Sequence, residues 1–342
     1  ENAGGVVAQN IARWNGTQWF AVSSGVSFAH TIATSGTDIY VGGTFTTIGG
    51  VQANKIARWD GVQWNTLGTG WTNGVGAGEG GARVRAITIR GSDVFVGGDF
   101  GSAGDITANN IGKWDGTQWS ALASGGTSGI QRFVTDIAVT DTEVYAVGGI
   151  EMAGNVAVRG IARWDGSQWT ALGSGANNGV NGTPNAVAVL GSNIYVGGDF
   201  VEAGGIAAEY VAKWNGTQWE RLGDGGGRQG ADNLVFAMAV YGSDLYVGGL
   251  FSTVGAVRAN RVAKWNGTQW FPLGNEANNG VNGTVGEIAI SADGRVYVGG
   301  NFTTAGGVPA NHIAMWDGTQ WSPLTSGVSG GQYTSVGAIE FI

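Results

Sequence analysis

The sequence predicts an all-β fold, a seven-bladed β-propeller with four-stranded antiparallel blades, and three observations carry that prediction. The motif Trp-Asn/Asp-Gly-x-Gln-Trp recurs seven times, at residues 14–19, 59–64, 114–119, 164–169, 214–219, 265–270 and 316–321. Successive copies lie 45, 55, 50, 50, 51 and 51 residues apart, a spacing that in a β-type sequence reads as propeller blades. Each repeat holds short alternating or apolar runs with no helical period. Glycine supplies 66 of 342 residues without the every-third spacing of collagen. A single propeller domain is therefore expected over 1–342.

Residues 185–223 show how one repeat divides. "NAVAVL" (185–190) is a small, apolar strand A, and "GSN" is a tight turn. "IYVGGDF" (194–200) is strand B, and "VEAGGIAAE" (201–209) a loop. "YVAKW" (210–214) is strand C, "NGTQ" (215–218) a hairpin turn, and "WERLG" (219–223) strand D. Asn-Gly suits the positive φ values of a type I′ turn. Tight A–B and C–D turns share one end of the blade; the longer B–C and D–A loops share the other.

Blades fan out from an axis, so both faces of each sheet must pack and the gap widens outward. Small residues such as Ala186 and Ala188 fit the narrow inner strand, and Trp214 and Trp219 fit the wide outer end. Each tryptophan buries about 150–250 Å², much of the adhesion between neighbouring blades. The Gly-Gly pair of strand B is expected to let a tryptophan lie on bare backbone. A cation precedes the first tryptophan in six repeats (Arg13, Arg58, Lys113, Arg163, Lys213, Lys264), and Met315 replaces it in the seventh. Its stem fills space between blades while its charge meets a repeated Asp or a ring face.

The strand count is uneven. Strands A, C and D occur seven times, strand B only six. The sequence opens on a B–C loop and ends on a strand A, residues 336–342. One blade, closed by N- and C-terminal strands, thus lacks a strand in this chain. That leaves strand-donation edges at Ile339, Phe341, Ile11 and Arg13. The expected occupant is a protein partner or a further part of the same polypeptide.

Composition narrows the function. Charged residues are 12% of the chain and the net charge is −8. With no basic stripe, nucleic acid is not an expected partner. No run of about 18 apolar residues exists, so membrane insertion is not expected. There is no cysteine, which removes thiolate metal sites and thiol nucleophiles and suits a cytosolic or a bacterial secreted protein. The first residue is Glu1, which suggests a processed or excised N-terminus.

Binding residues should sit on the long-loop face and break the repeat symmetry. At the loop-side start of strand A, where the repeats differ, His30, Arg85, Asp136, Asn185 and Glu287 would ring a channel mouth. The competing reading is a water-filled channel with incidental polar lining. Trp71 is the one tryptophan outside the motif; it could stack on a sugar or anchor a partner, or plug its own loop. Arg132 and Tyr333 are candidates of the same kind. No His-Glu-x-x-His, Gly-x-Ser-x-Gly or phosphate loop occurs, so no catalytic residue, cofactor or metal is assigned. Asp136 and Glu287 are the only basis for a glycosidase or lyase, and the sequence does not set their separation. The Gly-Ser-Asp turns lack the dense oxygen set of a calcium loop, and Asn-Gly-Thr at Asn15, Asn215 and Asn266 is a hairpin turn as well as a glycosylation signature.

"IYVGG" (194–198) followed by "W...LG" (219–223) resembles the kelch-type propeller repeat. "NNIGKWDGTQWSALASG" (109–125) with "VFVGGDFGSAG" (94–104) is similar to repeats of bacterial secreted and cell-surface proteins and of fungal cortical polarity markers. The resemblance covers nearly the whole chain. It implies a propeller placed outside the cell or at its surface, and kelch-like propellers range from oxidase domains to scaffolds. The copper oxidases of that kind carry a cysteine that is absent here. The expected function is a non-enzymatic interaction or assembly module of a cell-surface structure; the alternative is a lectin, with glycans as partner.

Overall fold

The computed structural model describes residues 2–22, 26–76, 81–223, 229–275, 277–330 and 334–342. They form two compact units, one of Glu1–Ala8, Ala12–Ala21 and Ala188–Phe341, the other of Gln9–Ile11, Val22–Val187 and Ile342. The division falls within the strand Thr183–Leu190. The architecture is all-β apart from two short 3-10 turns, Gly70–Thr72 and Gly175–Asn177.

The 22–187 unit holds three complete antiparallel sheets, each in the order A-B-C-D. The first is Ala29–Ser35, Asp38–Gly43, Ile56–Trp59 and Trp64–Thr66. The second is Arg83–Arg90, Asp93–Asp99, Ile111–Trp114 and Trp119–Ala121. The third is Val134–Val139, Val144–Gly148, Ile161–Trp164 and Trp169–Thr170. The other unit repeats the plan in Val235–Tyr241, Asp244–Gly249, Val262–Trp265 and Trp270–Pro272, and again in Thr284–Ile290, Val296–Asn301, Ile313–Trp316 and Trp321–Pro323. It also contains strands B, C and D of the guide repeat, Asn193–Asp199, Val211–Trp214 and Trp219–Arg221.

Within each unit, the second tryptophan of a motif is a wedge between sheets. Trp119 is buried and sends its indole N–H to the Leu67 carbonyl of the preceding sheet, 3.0 Å away. Trp169 does the same to Leu122, Trp270 to Leu222 and Trp321 to Leu273. The two rings of a motif meet at a tilt, 5.5 Å apart in Trp114 and Trp119.

Two local expectations are corrected. The tryptophan does not lie on the Gly-Gly pair of strand B but on a glycine of the B–C loop: a Cβ on Gly104 would come 2.8 Å from Trp119 Cδ1. The strand B pair faces strand A instead. A Cβ on Gly97 would sit 2.6 Å from Val134 Cγ1 of the next sheet, and one on Gly98 would strike the Arg83 carbonyl at the bulge between Val84 and Ala86. The hairpin turns are not type I′, because only the glycine takes positive φ. The loop has four residues, and its Asn or Asp side chain caps it: Asp115 Oδ1 accepts from the N–H groups of Thr117 and Gln118 at 2.8 Å.

The B–C loops are small hairpins in their own right, such as Ser102–Ala103 with Ile106–Thr107, and each bridges to a D–A loop: Ala103 pairs with Val75, Ala153 with Ile130, Ala305 with Val281. This puts the long loops together at one end of the sheets.

The N- and C-terminal segments form a seventh, incomplete set. Asn2–Ala3 and Val6–Val7 make a B–C hairpin, and Ala3 pairs with Val328. Ala12–Trp14 and Trp19–Ala21 are its strands C and D, and Trp19 points its N–H at the Leu324 carbonyl at 3.5 Å. Residues 334–342 take no strand assignment, although strand A is expected there. A strand is defined by its hydrogen-bonded neighbour, and the strand B that pairs with A in the complete sheets has no counterpart for it among the described residues.

Candidate functional site

The predicted polar ring divides between the two units. His30, Arg85, Asp136 and Asn185 belong to the 22–187 unit, Glu287 to the other. Within the first, strand A of the first sheet carries His30 and strand A of the second carries Arg83 and Arg85. Both guanidiniums reach one oxygen: Arg83 Nε and Arg85 Nε each lie 2.9 Å from Asp99 Oδ2. Asp99 stands directly after the Gly-Gly pair of its own strand B. Arg85 also stacks on Phe133, 5.3 Å from guanidinium carbon to ring centroid. Its charge is thus shared between a carboxylate and a ring face. His30 is exposed along one edge; packing around it, and then the Arg85 and Arg83 charges, lower its pKa from 6.5.

Asp136 is fastened at both oxygens. Oδ1 accepts from the Ile137 N–H at 2.8 Å and Oδ2 from the Val187 N–H at 2.9 Å. Burial raises its pKa from 3.8 to about 6, against the lowering effect of those two bonds. Beside it, Thr135 donates to the Pro184 carbonyl at 2.8 Å. Asp136 thus stitches one strand A to the next. Glu287 accepts from Ile288 N–H at 3.2 Å, as Asp136 does from Ile137. Asn185 lies half-buried in its strand.

Trp71 sits in the turn Gly70–Thr72 and is 84% exposed. The loop beneath it is held firmly: Asn54 donates to the Trp71 carbonyl at 3.0 Å, its N–H meets Asn73 Oδ1 at 3.0 Å, and Asn73 donates to Gly70. The indole therefore projects from a fixed backbone. Arg132, at φ 70°, pairs with Glu151 at 3.1 Å, both about 58% exposed. Tyr333 lies outside the described residues.

The strand-donation residues separate. Arg13 is exposed, stacked 5.5 Å from the centroid of Phe20. Ile339 packs toward Gly299, and Phe341 meets Tyr297 edge-on at 5.1 Å. Ile11 is instead buried with Val22, Val26 and Ile48 in the core of the other unit.

Sequence reasoning passed over Asp99, Phe133 and Asn73. Asp99 was readable in principle, since an acid after Gly-Gly lies opposite the two arginines of strand A; Asn73 carried no pattern in the sequence. Among the described residues no group of three His, Asp or Glu side chains is placed to hold a metal ion. Nor is any described helix long and apolar enough to cross a membrane.

Residues 38–59 and 291–314 match the family described as "Domain of unknown function (DUF5122) beta-propeller". Both stretches run through strand B into strand C. No curated protein matches the chain. Among solved structures, the extracellular domain of a one component system of B. thetaiotaomicron is similar at a TM-score of 0.52 and 11% identity, over 88% of this chain and 34% of that one. The chain thus spans about a third of the length of that domain, and the likeness is one of fold. The computationally designed Ika8 protein is similar at TM-score 0.49 and 16% identity, over 89% of this chain and 73% of that one. A hybrid two component system domain of B. thetaiotaomicron is similar at TM-score 0.46 and 10% identity, over 86% and 39%. The chain is built of propeller-type repeats.

Proposed function

We propose that the chain is a seven-bladed, kelch-like propeller acting outside the cell as a non-enzymatic interaction module of a cell-surface structure. The observation that carries this is Trp71, an exposed indole on a loop held by Asn54 and Asn73, the kind of side chain that anchors a partner. The polar residues nearest a catalytic reading are occupied structurally, Arg85 by Asp99 and Asp136 by two backbone N–H groups. Extracellular placement follows the resemblance of the repeats, and the B. thetaiotaomicron domain of like fold is extracellular.

The test is crosslinking of the purified chain to cell-envelope protein, with the crosslinked residues mapped, beside a glycan array. Crosslinks at residues 70–73 are the expected result. Sugar binding that Trp71→Ala abolishes would replace the reading by a lectin, and turnover of a glycan would overturn the non-enzymatic assignment.

A further inference from the structure

We infer that the strand A bulges of the first two sheets form a binding site for a small organic monocarboxylate, held by Arg83, Arg85 and His30. Nothing in this site depends on Trp71.

The five complete sheets each carry a bulge near the start of strand A. The extra residue is His30 between Ala29 and Thr31, Arg85 between Val84 and Ala86, Thr135 between Val134 and Asp136, Phe236 between Val235 and Ala237, and Gly286 between Val285 and Glu287. A bulge leaves its extra residue outside the ladder and re-aims its side chain. Of the five, only His30 and Arg85 bring an imidazole or a guanidinium, and their two strands pack side by side within one unit. Arg83, just ahead of its bulge, adds a second guanidinium where the other four sheets have Phe28, Phe133, Leu234 and Thr284.

The charges at this place do not balance. Arg83 Nε and Arg85 Nε both lie 2.9 Å from one atom, Asp99 Oδ2. One carboxylate therefore answers two guanidiniums, and it does so at their Nε edges. Among the described residues the Nη groups of neither arginine meet an acceptor, and His30 makes no hydrogen bond. Burial and the two arginines hold His30 below its ordinary 6.5, so near pH 7 it is neutral and the cluster keeps one net positive charge. Solvent reaches it: the side chains of Arg83 and Arg85 are 43% and 33% exposed.

That charge selects the ligand. A monoanion cancels it, whereas a phosphate dianion would reverse it in a chain already at −8. The nitrogens of a guanidinium edge match the two oxygens of a carboxylate. Arg85 is held in advance, its guanidinium carbon 5.3 Å from the ring centroid of Phe133, so less freedom is lost on binding. The organic part of the ligand has Phe28 to meet. That residue is 70% exposed and stands at φ 58°, a backbone conformation that costs a bulky residue energy. Its carbonyl accepts from the Thr44 N–H at 3.1 Å, which fixes its backbone two residues ahead of His30.

The test titrates the 342-residue chain with sodium benzoate at fixed ionic strength, following the Nε–H signals of Arg83 and Arg85 and the ring signals of His30 by NMR. Saturable shifts at all three residues are expected. Acetate, which lacks the ring, should bind about three- to ten-fold more weakly, and inorganic phosphate more weakly than benzoate. Arg85→Gln, shown by circular dichroism to be folded, should weaken benzoate about ten-fold or more. Phe28→Ala should weaken benzoate and leave acetate unchanged. No saturable shift in the wild-type chain overturns the proposal, and that measurement needs no variant. So does phosphate that binds as tightly as benzoate, or benzoate binding that Arg85→Gln leaves intact. Benzoate that binds no tighter than acetate, or that ignores Phe28→Ala, overturns it as well, because the site would then not recognise the organic part.

Discussion

Trp119 donates its indole N–H to the carbonyl of Leu67 at 3.0 Å, across 52 residues of sequence. One side chain thus joins two sheets by both ring packing and a directed bond. Trp64 occupies the same motif position, yet its indole nitrogen is buried and has no partner. Trp119→Phe should therefore cost about 1 kcal/mol, the Leu67 carbonyl keeping the bond it accepts from the Gly74 N–H at 2.8 Å, and Trp64→Phe distinctly less. Urea midpoints at constant slope measure the difference. Equal losses would mean that the indole bond contributes nothing beyond packing.

Gly97 is held to glycine by Val134. A Cβ there falls 2.6 Å from Val134 Cγ1 and 2.8 Å from Ile137 Cδ1, so Gly97→Ala should destabilise by about 1–3 kcal/mol. Combining it with Val134→Ala should cost less than the sum of the two single changes, because the second opens the space the first needs. A double-mutant cycle on unfolding free energy reads that coupling directly.

Asp136 and the turn aspartates should titrate at opposite ends of the carboxylate range. Burial raises Asp136 to about 6. The folded protein then holds this proton more tightly than the unfolded chain does. As pH rises from about 4 to about 6, the unfolded chain ionises first, and the contribution of Asp136 to stability falls. Asp115, Asp165 and Asp317 are lowered to about 2 by the N–H groups of Gln118, Gln168 and Gln320 respectively. Their contribution is complete above 3.8 and lost as pH falls through about 2. Carboxyl carbon NMR should show midpoints near 6 and near 2. Wild type should lose stability relative to Asp136→Asn between pH 4 and 6; a constant difference would show that Asp136 keeps an ordinary pKa.

Trp71 is exposed on a loop whose bonds are made by Asn54 and Asn73 rather than by its own indole. Trp71→Ala should change the unfolding free energy by no more than about 0.5 kcal/mol. It should also reduce crosslinking at residues 70–73. A loss of several kcal/mol would make the indole a structural plug.

The repeat was legible because its parts are local. The motif Trp-Asn/Asp-Gly-x-Gln-Trp encodes strand, capped turn and strand within a few residues, and the observed pairs, Trp114 with Trp119 among them, fall where the sequence puts them. Turn geometry was not: Asn-Gly favours a type I′ turn locally, but a four-residue loop frees the Asn side chain to accept two backbone N–H groups.

Partners distant in the chain belong to tertiary structure. The sequence places Arg83, Arg85 and Asp99 on adjoining strands, but only packing brings both guanidiniums to one oxygen and sets Phe133 over Arg85. The Gly-Gly pair of strand B is visible in the sequence as a demand for bare backbone. Which neighbour makes that demand, Val134 of the next sheet and a bulged carbonyl rather than a tryptophan, depends on how two sheets meet. By itself the sequence determined the strands of the complete sheets and their order, because hydrogen-bonding pattern and alternation are written along the chain. Tertiary structure decided which polar groups neutralise one another and which side chains press on the strand B glycines, because those outcomes depend on how strands from different parts of the chain meet in space.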